Sequence, residues 1–173
     1  MDGQLYRGSS FSAGALGHVQ INAEGAVCKC GSRGCLETYV GTEAVINLGR
    51  REAQLAGEVF SGTMSELLQA VGDRKPWGDA VARETGFWLG IGLASIINML
   101  NPALVVIHGD LVDFGEQLLS QAQTTVQERA LHIPGYSPHI VFSHIGRTSG
   151  IRGAAALVMQ ETLGIVPRVI QGP

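Results

Sequence analysis

The sequence has no surplus of positive charge and no long uninterrupted apolar run. Its 12 lysines and arginines are outnumbered by 15 aspartates and glutamates, which gives a net charge of −3. Domains that bind nucleic acid directly usually carry a basic patch, and this composition does not indicate one. Asp2, Gln4 and Arg7 interrupt any apolar core of a secretion signal, and no apolar run approaches the roughly 18 residues of a membrane span. We therefore expect a cytoplasmic location and no membrane association.

Cysteine is scarce, and the three cysteines present, Cys28, Cys30 and Cys35, are clustered in one short stretch. An odd number of cysteines cannot pair fully as disulfides, whereas three thiolates and one imidazole complete a tetrahedral shell for Zn²⁺. His18 is the histidine nearest to them along the chain, so we expect a zinc site formed by these four residues. A closed shell of four protein ligands leaves no position for a catalytic water, and the metal would be structural. The alternative is three buried free thiols beside an unrelated histidine.

The first residues predict that the chain begins inside a domain. Asp2-Gly3 is a typical two-residue hairpin turn, and residues 4–7 follow it with the composition of a strand. A hairpin needs a strand before its turn, and Met1 alone precedes this one.

Apolar periodicity and helix-boundary residues predict the remaining elements. We expect helices over residues 35–40, 78–100, 114–131 and 151–163, further helices capped by Thr42 and Thr63, and strands over residues 103–107 and 138–142. Glu66 lies three residues after Thr63, as in a capping box. The strand over residues 103–107 is apolar throughout, as buried parallel strands are. Small residues in the 78–100 helix would allow it to approach a sheet closely. Alternating strands and helices in the last part of the chain predict an α/β fold.

Two segments resemble the signature of the ROK family, which groups bacterial sugar-responsive repressors with sugar kinases. The segments are Gly-Ala-Leu-Gly-His at residues 14–18 and Cys-Lys-Cys-Gly-Ser-Arg-Gly-Cys-Leu-Glu at residues 28–37. Asn-Pro at residues 101–102 before a strand, and Gly-Ala-Ala-Ala-Leu-Val at residues 153–158, are similar to later landmarks of the family. The resemblance implies an actin-like, ribonuclease H-like ATPase or sugar kinase fold. Residues 1–173 would then be its C-terminal lobe, with a zinc loop over residues 18–37.

The resemblance also assigns roles to single residues. The family's zinc ligands fall on His18, Cys28, Cys30 and Cys35, and its sugar contacts include His18 and Glu37. A histidine that binds metal through one ring nitrogen can donate the other N–H to a sugar hydroxyl. A glutamate close to a ligand can accept hydroxyl hydrogen bonds. The alternative for Glu37 is a purely structural role at the start of a helix, where a carboxylate is favourable.

Two departures from the family pattern bear on function. Ala15 occupies the place of the family's glutamate before Gly-His, so one hydroxyl-binding carboxylate is absent. The turn after the first late strand contains His108 and Asp110 where the kinases show glycines, and a carboxylate there repels phosphate. Both departures favour either the effector-sensing and oligomerisation lobe of a ROK-type transcriptional regulator or a degenerate member of the family.

Other functional interpretations remain open. The first is the C-terminal lobe of an ATP-dependent sugar kinase, and another is a zinc-stabilised scaffold that has lost its pocket. In the family, the catalytic aspartate and the phosphate loop belong to the N-terminal lobe, so we expect no kinase activity from this chain alone. The partners implied by the resemblance are a second copy of the chain and a small sugar effector, with DNA contacted only through an N-terminal domain absent from these residues.

Overall fold

The structure, a computed structural model, describes residues 5–145 and 149–164. Within these residues the helices are α1 (Glu37–Val40), α2 (Thr42–Leu55), α3 (Met64–Gly72), α4 (Pro76–Leu100), α5 (Gly115–Arg129) and α6 (Ser149–Leu163). The strands are β1 (Leu104–Ile107) and β2 (His139–Phe142), and 3₁₀ turns lie at Leu16–His18 and Asp110–Phe114. The strand–helix–strand–helix order that the sequence predicts for the last part of the chain is confirmed.

The core is built around α4, which packs most extensively against α5 and also contacts α2 and α3. Glycines on α4 allow the close approach to α5. A Cβ atom at Gly86 would lie 2.5 Å from the carbonyl oxygen of Leu118, and one at Gly90 would lie 2.8 Å from that of Ala122. The predicted close packing is therefore confirmed, but the predicted sheet partner is wrong. A stripe of small residues predicts that a helix packs closely against a neighbour, but it does not predict which element that neighbour is.

The composition of α4 also makes it, among the described residues, the one helix long and apolar enough to cross a membrane. Of its most apolar window, 56% is buried against the rest of the chain. Its buried side chains, which include Val81, Leu89, Leu93 and Ile97, belong to the same cluster as those of α2, α3 and α5. The apolar composition of α4 therefore matches its place in the core of the fold.

The two described strands pair in parallel, in a register that runs from Leu104 opposite His139 to Ile107 opposite Phe142. Ile107 is 7% exposed, whereas Leu104 and Val106 are 55% and 48% exposed. The prediction of a strand buried on both faces is therefore wrong for β1, because its apolar residues divide between a core face and an open face.

The outer edge of β2 is covered by a side chain of α5. In this register the backbone groups of His139 and Ser143 point toward β1, and those of Ile140 point away. The Gln123 side-chain amide donates to the Ile140 carbonyl at 3.0 Å. The Ile140 carbonyl, at the edge of the sheet, therefore has a hydrogen-bond partner without a further strand.

The helix starts test the predicted caps. Thr63 Oγ1 accepts a hydrogen bond from the Glu66 N–H at 3.3 Å, which confirms the cap of α3. The Glu66 carboxylate accepts from the Ser61 N–H at 2.8 Å. The prediction that Thr42 caps α2 is wrong, because Thr42 is already helical and Gly41 is the residue before the helix. A single residue separates α1 from α2, so Gly41 must both end one helix and begin the next.

At the beginning of the chain, residues 5–7 lie outside any helix or strand. The strand predicted over residues 4–7 is wrong for this part. Residues 1–4, with the predicted hairpin turn, lie outside the described residues.

We predict that Gly90→Ala lowers the free energy of unfolding by about 1–3 kcal/mol, because the new methyl group would meet the backbone of α5. The gain in helix propensity, about 1 kcal/mol, is too small to offset this clash. Gly72→Ala at the end of α3 is the matched control, since a Cβ there meets nothing within 4 Å. Urea unfolding of both variants measures the difference, and equal midpoints would contradict the proposed role of Gly90.

Candidate metal centre

Backbone hydrogen bonds fold residues 20–35 back on themselves. The Gly34 N–H donates to the Ala26 carbonyl at 2.8 Å, and the Cys28 N–H donates to the Ser32 carbonyl at 2.7 Å. Val27 and Arg33 form an antiparallel bridge between the two arms of this loop. The fold-back brings Cys28 on one arm next to the cysteines that follow it.

Glycine is required at one position of the loop. Gly34 has a φ of +62°, and a Cβ atom there would lie 1.6 Å from the Asn22 carbonyl oxygen. Gly31 also has a positive φ, +92°, but a Cβ atom there would meet nothing within 4 Å. Both turns use the conformational freedom of glycine, and Gly34 additionally permits the contact between the arms.

The four predicted ligands converge on one point. Their ligand atoms all lie within 4.8 Å of one another. His18 Nδ1 is 3.7 Å from Cys28 Sγ, and Cys30 Sγ is 3.6 Å from Cys35 Sγ. A tetrahedral zinc site with bonds of about 2.0–2.3 Å has ligand–ligand distances of about 3.3–3.8 Å. The donor set and these two distances therefore fit a four-coordinate metal ion. They disfavour the alternative of an unrelated histidine, since His18 lies within the thiol cluster.

The three thiols differ in burial and in acidity. Cys35 and Cys28 are 0% and 4% exposed, whereas Cys30 is exposed. The Ser32 backbone, followed by the Cys28 and Cys35 side chains, forms hydrogen bonds that lower the pKa of Cys30 to about 7. Burial, followed by the neighbouring sulfurs, raises the pKa of Cys35 to about 12. In the metal-free chain Cys30 therefore ionises before Cys35, and a metal ion must displace the proton of Cys35.

Glu37 lies beside the cluster. It is the first residue of α1, and its Oε2 atom is 3.6 Å from His18 Nδ1. The side chains of His18 and Glu37 are 47% and 46% exposed, so both are accessible from solvent. Ala15 is exposed just before the 3₁₀ turn that carries His18, and its carbonyl accepts from the His18 N–H at 3.0 Å. The structure thus brings together the predicted sugar contacts, the predicted metal ligands and the position of the missing carboxylate.

A cleft of about 860 Å³ adjoins Glu37 and the arm of the loop that carries Cys28. Cys28 and Glu37 line it on one side, and residues of α2, including Glu43 and Arg50, line it on the other. Lys29 forms an exposed ion pair with Glu43 across it at 3.4 Å. The site is therefore an open surface with groups of both charges at its margin.

Two contacts that local sequence patterns do not predict hold the cysteine-bearing loop on α4. Leu36, between Cys35 and Glu37, is 2% exposed and packs into the notch left by Gly92, where a Cβ atom would lie 2.5 Å from Leu36 Cδ2. Tyr39 stacks on Trp88 with ring centroids 4.1 Å apart. Trp88 is recognisable from the sequence as an anchor, but its partner is 49 positions away (88 − 39) and no local pattern connects them.

The fold and the site define a class: a mixed α/β chain with a thiolate-rich candidate metal centre beside an exposed histidine–glutamate pair. Residues 1–161 match the model of the ROK family, and the chain belongs to this family.

Two relatives are transcriptional regulators. The chain is 29% identical over 175 residues to the xylose repressor of Caldicellulosiruptor bescii, covering 94% of this chain and 43% of the repressor. It is 29% identical over 166 residues to the DNA-binding transcriptional dual regulator NagC of Escherichia coli, covering 94% of this chain and 41% of the regulator. The chain thus spans less than half the length of these relatives.

Solved structures of both kinds of ROK protein are similar. A ROK family glucokinase from Streptomyces griseus, in complex with glucose and AMPPNP, superposes with a TM-score of 0.79 at 24% identity, covering 89% of this chain and 54% of the kinase. A ROK family transcriptional regulator, a homologue of the E. coli MLC protein, superposes with a TM-score of 0.73 at 29% identity, covering 82% and 37%. The fold is therefore that of the ROK sugar kinases, and the predicted α/β fold class is confirmed.

In protein stripped of metal by a chelator, we predict that one thiol reacts rapidly with a chromogenic disulfide reagent. Cys30 is the expected thiol, because it is exposed and readily ionised. Since the thiolate is the nucleophile, the rate should rise with pH around a midpoint near 7, below the 9.0 of an ordinary cysteine. Cys28 and Cys35 should react slowly because they are buried.

The same assay tests the loop geometry. Gly34→Ala should make all three thiols reactive, since its Cβ would push the two arms apart. Gly31→Ala is the control, because it shares the positive φ but has open space. Three equally reactive thiols in the unsubstituted chain would contradict the described burial.

Proposed function

We propose that this chain is the effector-sensing and oligomerisation lobe of a ROK-type, sugar-responsive transcriptional regulator, with a structural zinc site formed by His18, Cys28, Cys30 and Cys35. The observation that carries the proposal is the position of His18, which lies 3.7 Å from Cys28 Sγ and 3.6 Å from the Glu37 carboxylate. Both distances are measured from the same ring nitrogen, Nδ1, so the nitrogen that faces the thiol cluster also lies beside the Glu37 carboxylate.

The zinc ion has a geometric role in this proposal. Four protein ligands close the coordination shell, so the ion fixes the loop and takes no part in chemistry. A metal on one ring nitrogen of His18 fixes the ring and leaves the other N–H to donate to a sugar hydroxyl. The Glu37 carboxylate accepts hydroxyl hydrogen bonds beside it. Support comes from the exposure of both side chains, one of which, Glu37, lines an open cleft.

The regulator is favoured over the kinase by the turn that follows β1. Gly109 has a φ of +88°, and the 3₁₀ turn Asp110–Phe114 begins directly after it with two aspartates, Asp110 and Asp113, in its first turn. Carboxylates at such a turn disfavour a nucleotide phosphate, which prefers free backbone N–H groups and positive charge. The kinase remains the second candidate, because the chain shares its fold with the Streptomyces griseus glucokinase.

The proposal assigns the remaining functions to partners. DNA reading would belong to a segment other than these residues, as the net charge of −3 suggests. A second copy of the chain is the proposed oligomeric partner, since the open face of the sheet exposes Leu104, Val106 and Val141. A cytoplasmic location is proposed because clustered thiolates bind metal in a reducing compartment.

We predict stoichiometric zinc in the purified chain. Cys30→Ser should lower the zinc content measured by elemental analysis, because it removes one of four ligands. Lys29→Ala is the matched control, since Lys29 lies between two ligands and its side chain is 84% exposed. Chelation should increase hydrogen exchange first in residues 22–40, which the ion holds together. Absence of zinc, or an unchanged content in Cys30→Ser, would contradict the zinc site.

We further predict that this chain alone binds sugars weakly. The carboxylate lost at Ala15 would have formed a charge-assisted hydrogen bond of about 1.5–3 kcal/mol, so affinity falls roughly tenfold to a hundredfold. Calorimetry with glucose, xylose and N-acetylglucosamine measures this. Ala15→Glu should improve binding only in a complete regulator, where the rest of the pocket is present.

Controls separate the pocket from the surface around it. In a complete regulator, Glu37→Gln should abolish measurable sugar binding, whereas Glu43→Gln, at an exposed position across the cleft, should not. A micromolar dissociation constant that survives Glu37→Gln would show that the pocket lies elsewhere. Sugar-dependent ATP turnover that is lost on substitution of a residue in this chain would favour the kinase.

A further inference from the structure

We propose that Tyr39 is a positioning residue of the metal centre, which fixes the Cys28 arm of the loop and couples it to α4 through Trp88. This inference rests on the zinc site proposed above. Tyr39 touches none of the ligand atoms described; it acts through Asn22, at the start of the loop.

The first contact is a hydrogen bond. Asn22 Nδ2 donates to Tyr39 Oη at 2.9 Å in a partly buried setting. Asn22 also organises its own arm, because its Oδ1 accepts from the Glu24 N–H at 3.2 Å and its carbonyl accepts from the Gly25 N–H at 3.1 Å. Fixing the Asn22 side chain therefore fixes the turn that leads into Cys28.

The second contact is steric. Gly25 is buried, and a Cβ atom there would lie 2.4 Å from Tyr39 Oη and 2.6 Å from Gly34 Cα. The phenol oxygen thus occupies the place of a side chain at the point where the two arms meet. Gly34 directly precedes the ligand Cys35, so the Tyr39 hydroxyl lies where both ligand-bearing arms are in contact.

The third contact leads away from the loop. The Tyr39 ring stacks on Trp88 of α4 at 4.1 Å, and Trp88 meets Phe87 edge-on at 5.2 Å. The Arg129 guanidinium, in the last turn of α5, lies over the Phe87 ring at 5.7 Å. A continuous series of side chains therefore connects Asn22 to the two central helices.

The two arms of the loop are anchored differently. The arm that ends in Cys35 continues directly into Leu36, which is buried against Gly92. The arm that carries Cys28 has a side-chain hydrogen bond to the helical body in Asn22–Tyr39, and a solvent-exposed ion pair between Lys29 and Glu43. Exposed ion pairs contribute little. The Tyr39 hydroxyl is thus the contact whose loss should loosen one arm and leave the other in place.

The test is zinc affinity, measured by competition with a chromogenic chelator on the 173-residue chain. Tyr39→Phe keeps the ring and removes the hydroxyl, and we expect zinc binding to weaken roughly threefold to tenfold, the effect of one neutral hydrogen bond. Tyr136→Phe is the matched control, since it removes a partly buried hydroxyl that also makes a hydrogen bond, here donated to the Pro102 carbonyl at 2.7 Å. Its zinc affinity should equal that of the unsubstituted chain.

A double-mutant cycle isolates the contact. Asn22→Ala should weaken zinc binding, and adding Tyr39→Phe to it should weaken binding no further, because the shared hydrogen bond is already lost. Additive effects would overturn the proposal. Urea unfolding of the zinc-free variants separates a local change from a general loss of stability, because only a positioning residue changes zinc affinity by more than it changes zinc-free stability.

A spectroscopic measurement tests the coupling to α4. Trp77→Phe leaves Trp88 as the single tryptophan, since the chain has two. We expect zinc removal to shift Trp88 emission in this background, and the shift to shrink when Tyr39→Phe is added. An unchanged zinc affinity in Tyr39→Phe would overturn the role of Tyr39 alone. Failure of the unsubstituted chain to bind zinc would instead overturn the proposed metal site.

Discussion

The short distance between α4 and its neighbours is the constraint on which the rest of the structure depends. Gly86 and Gly90 bring the backbone of α5 into contact with α4, and Gly92 receives Leu36. Leu36 stands between Cys35, a metal-ligand candidate, and Glu37, so one notch on a core helix positions this end of the candidate site. A larger residue at Gly92 would act on the site without touching it, because interiors are packed too tightly to absorb extra volume.

The candidate site combines two buried thiols with two side chains that are accessible to solvent. Cys28 and Cys35 are buried. His18 and Glu37 are about half exposed and meet at 3.6 Å on the solvent side. Such a division suits a binding protein, since buried ligands supply a fixed geometry and exposed polar groups supply contacts for a small molecule.

Local patterns in the sequence predicted some local features correctly, although the cap assigned to Thr42 is wrong. The cysteine spacing indicated the ligand cluster, and Thr63 indicated the start of α3, because ligand loops and caps depend on neighbours a few residues away. Features that depend on distant residues were not predictable. The α5 partner of α4, the open face of β1 and the stacking of Tyr39 on Trp88 all join segments far apart in the chain. Periodicity gives the burial of a residue and leaves its partner undefined.

Gln123 protects one edge of the two-stranded sheet. By donating to the Ile140 carbonyl at 3.0 Å, it occupies the outer edge of β2 with a side chain from α5. A strand from another molecule that paired with this edge would have to displace Gln123 from the Ile140 carbonyl, so the contact disfavours edge-to-edge aggregation. One glutamine on a neighbouring helix thus makes the outer edge of β2 different from the outer edge of β1.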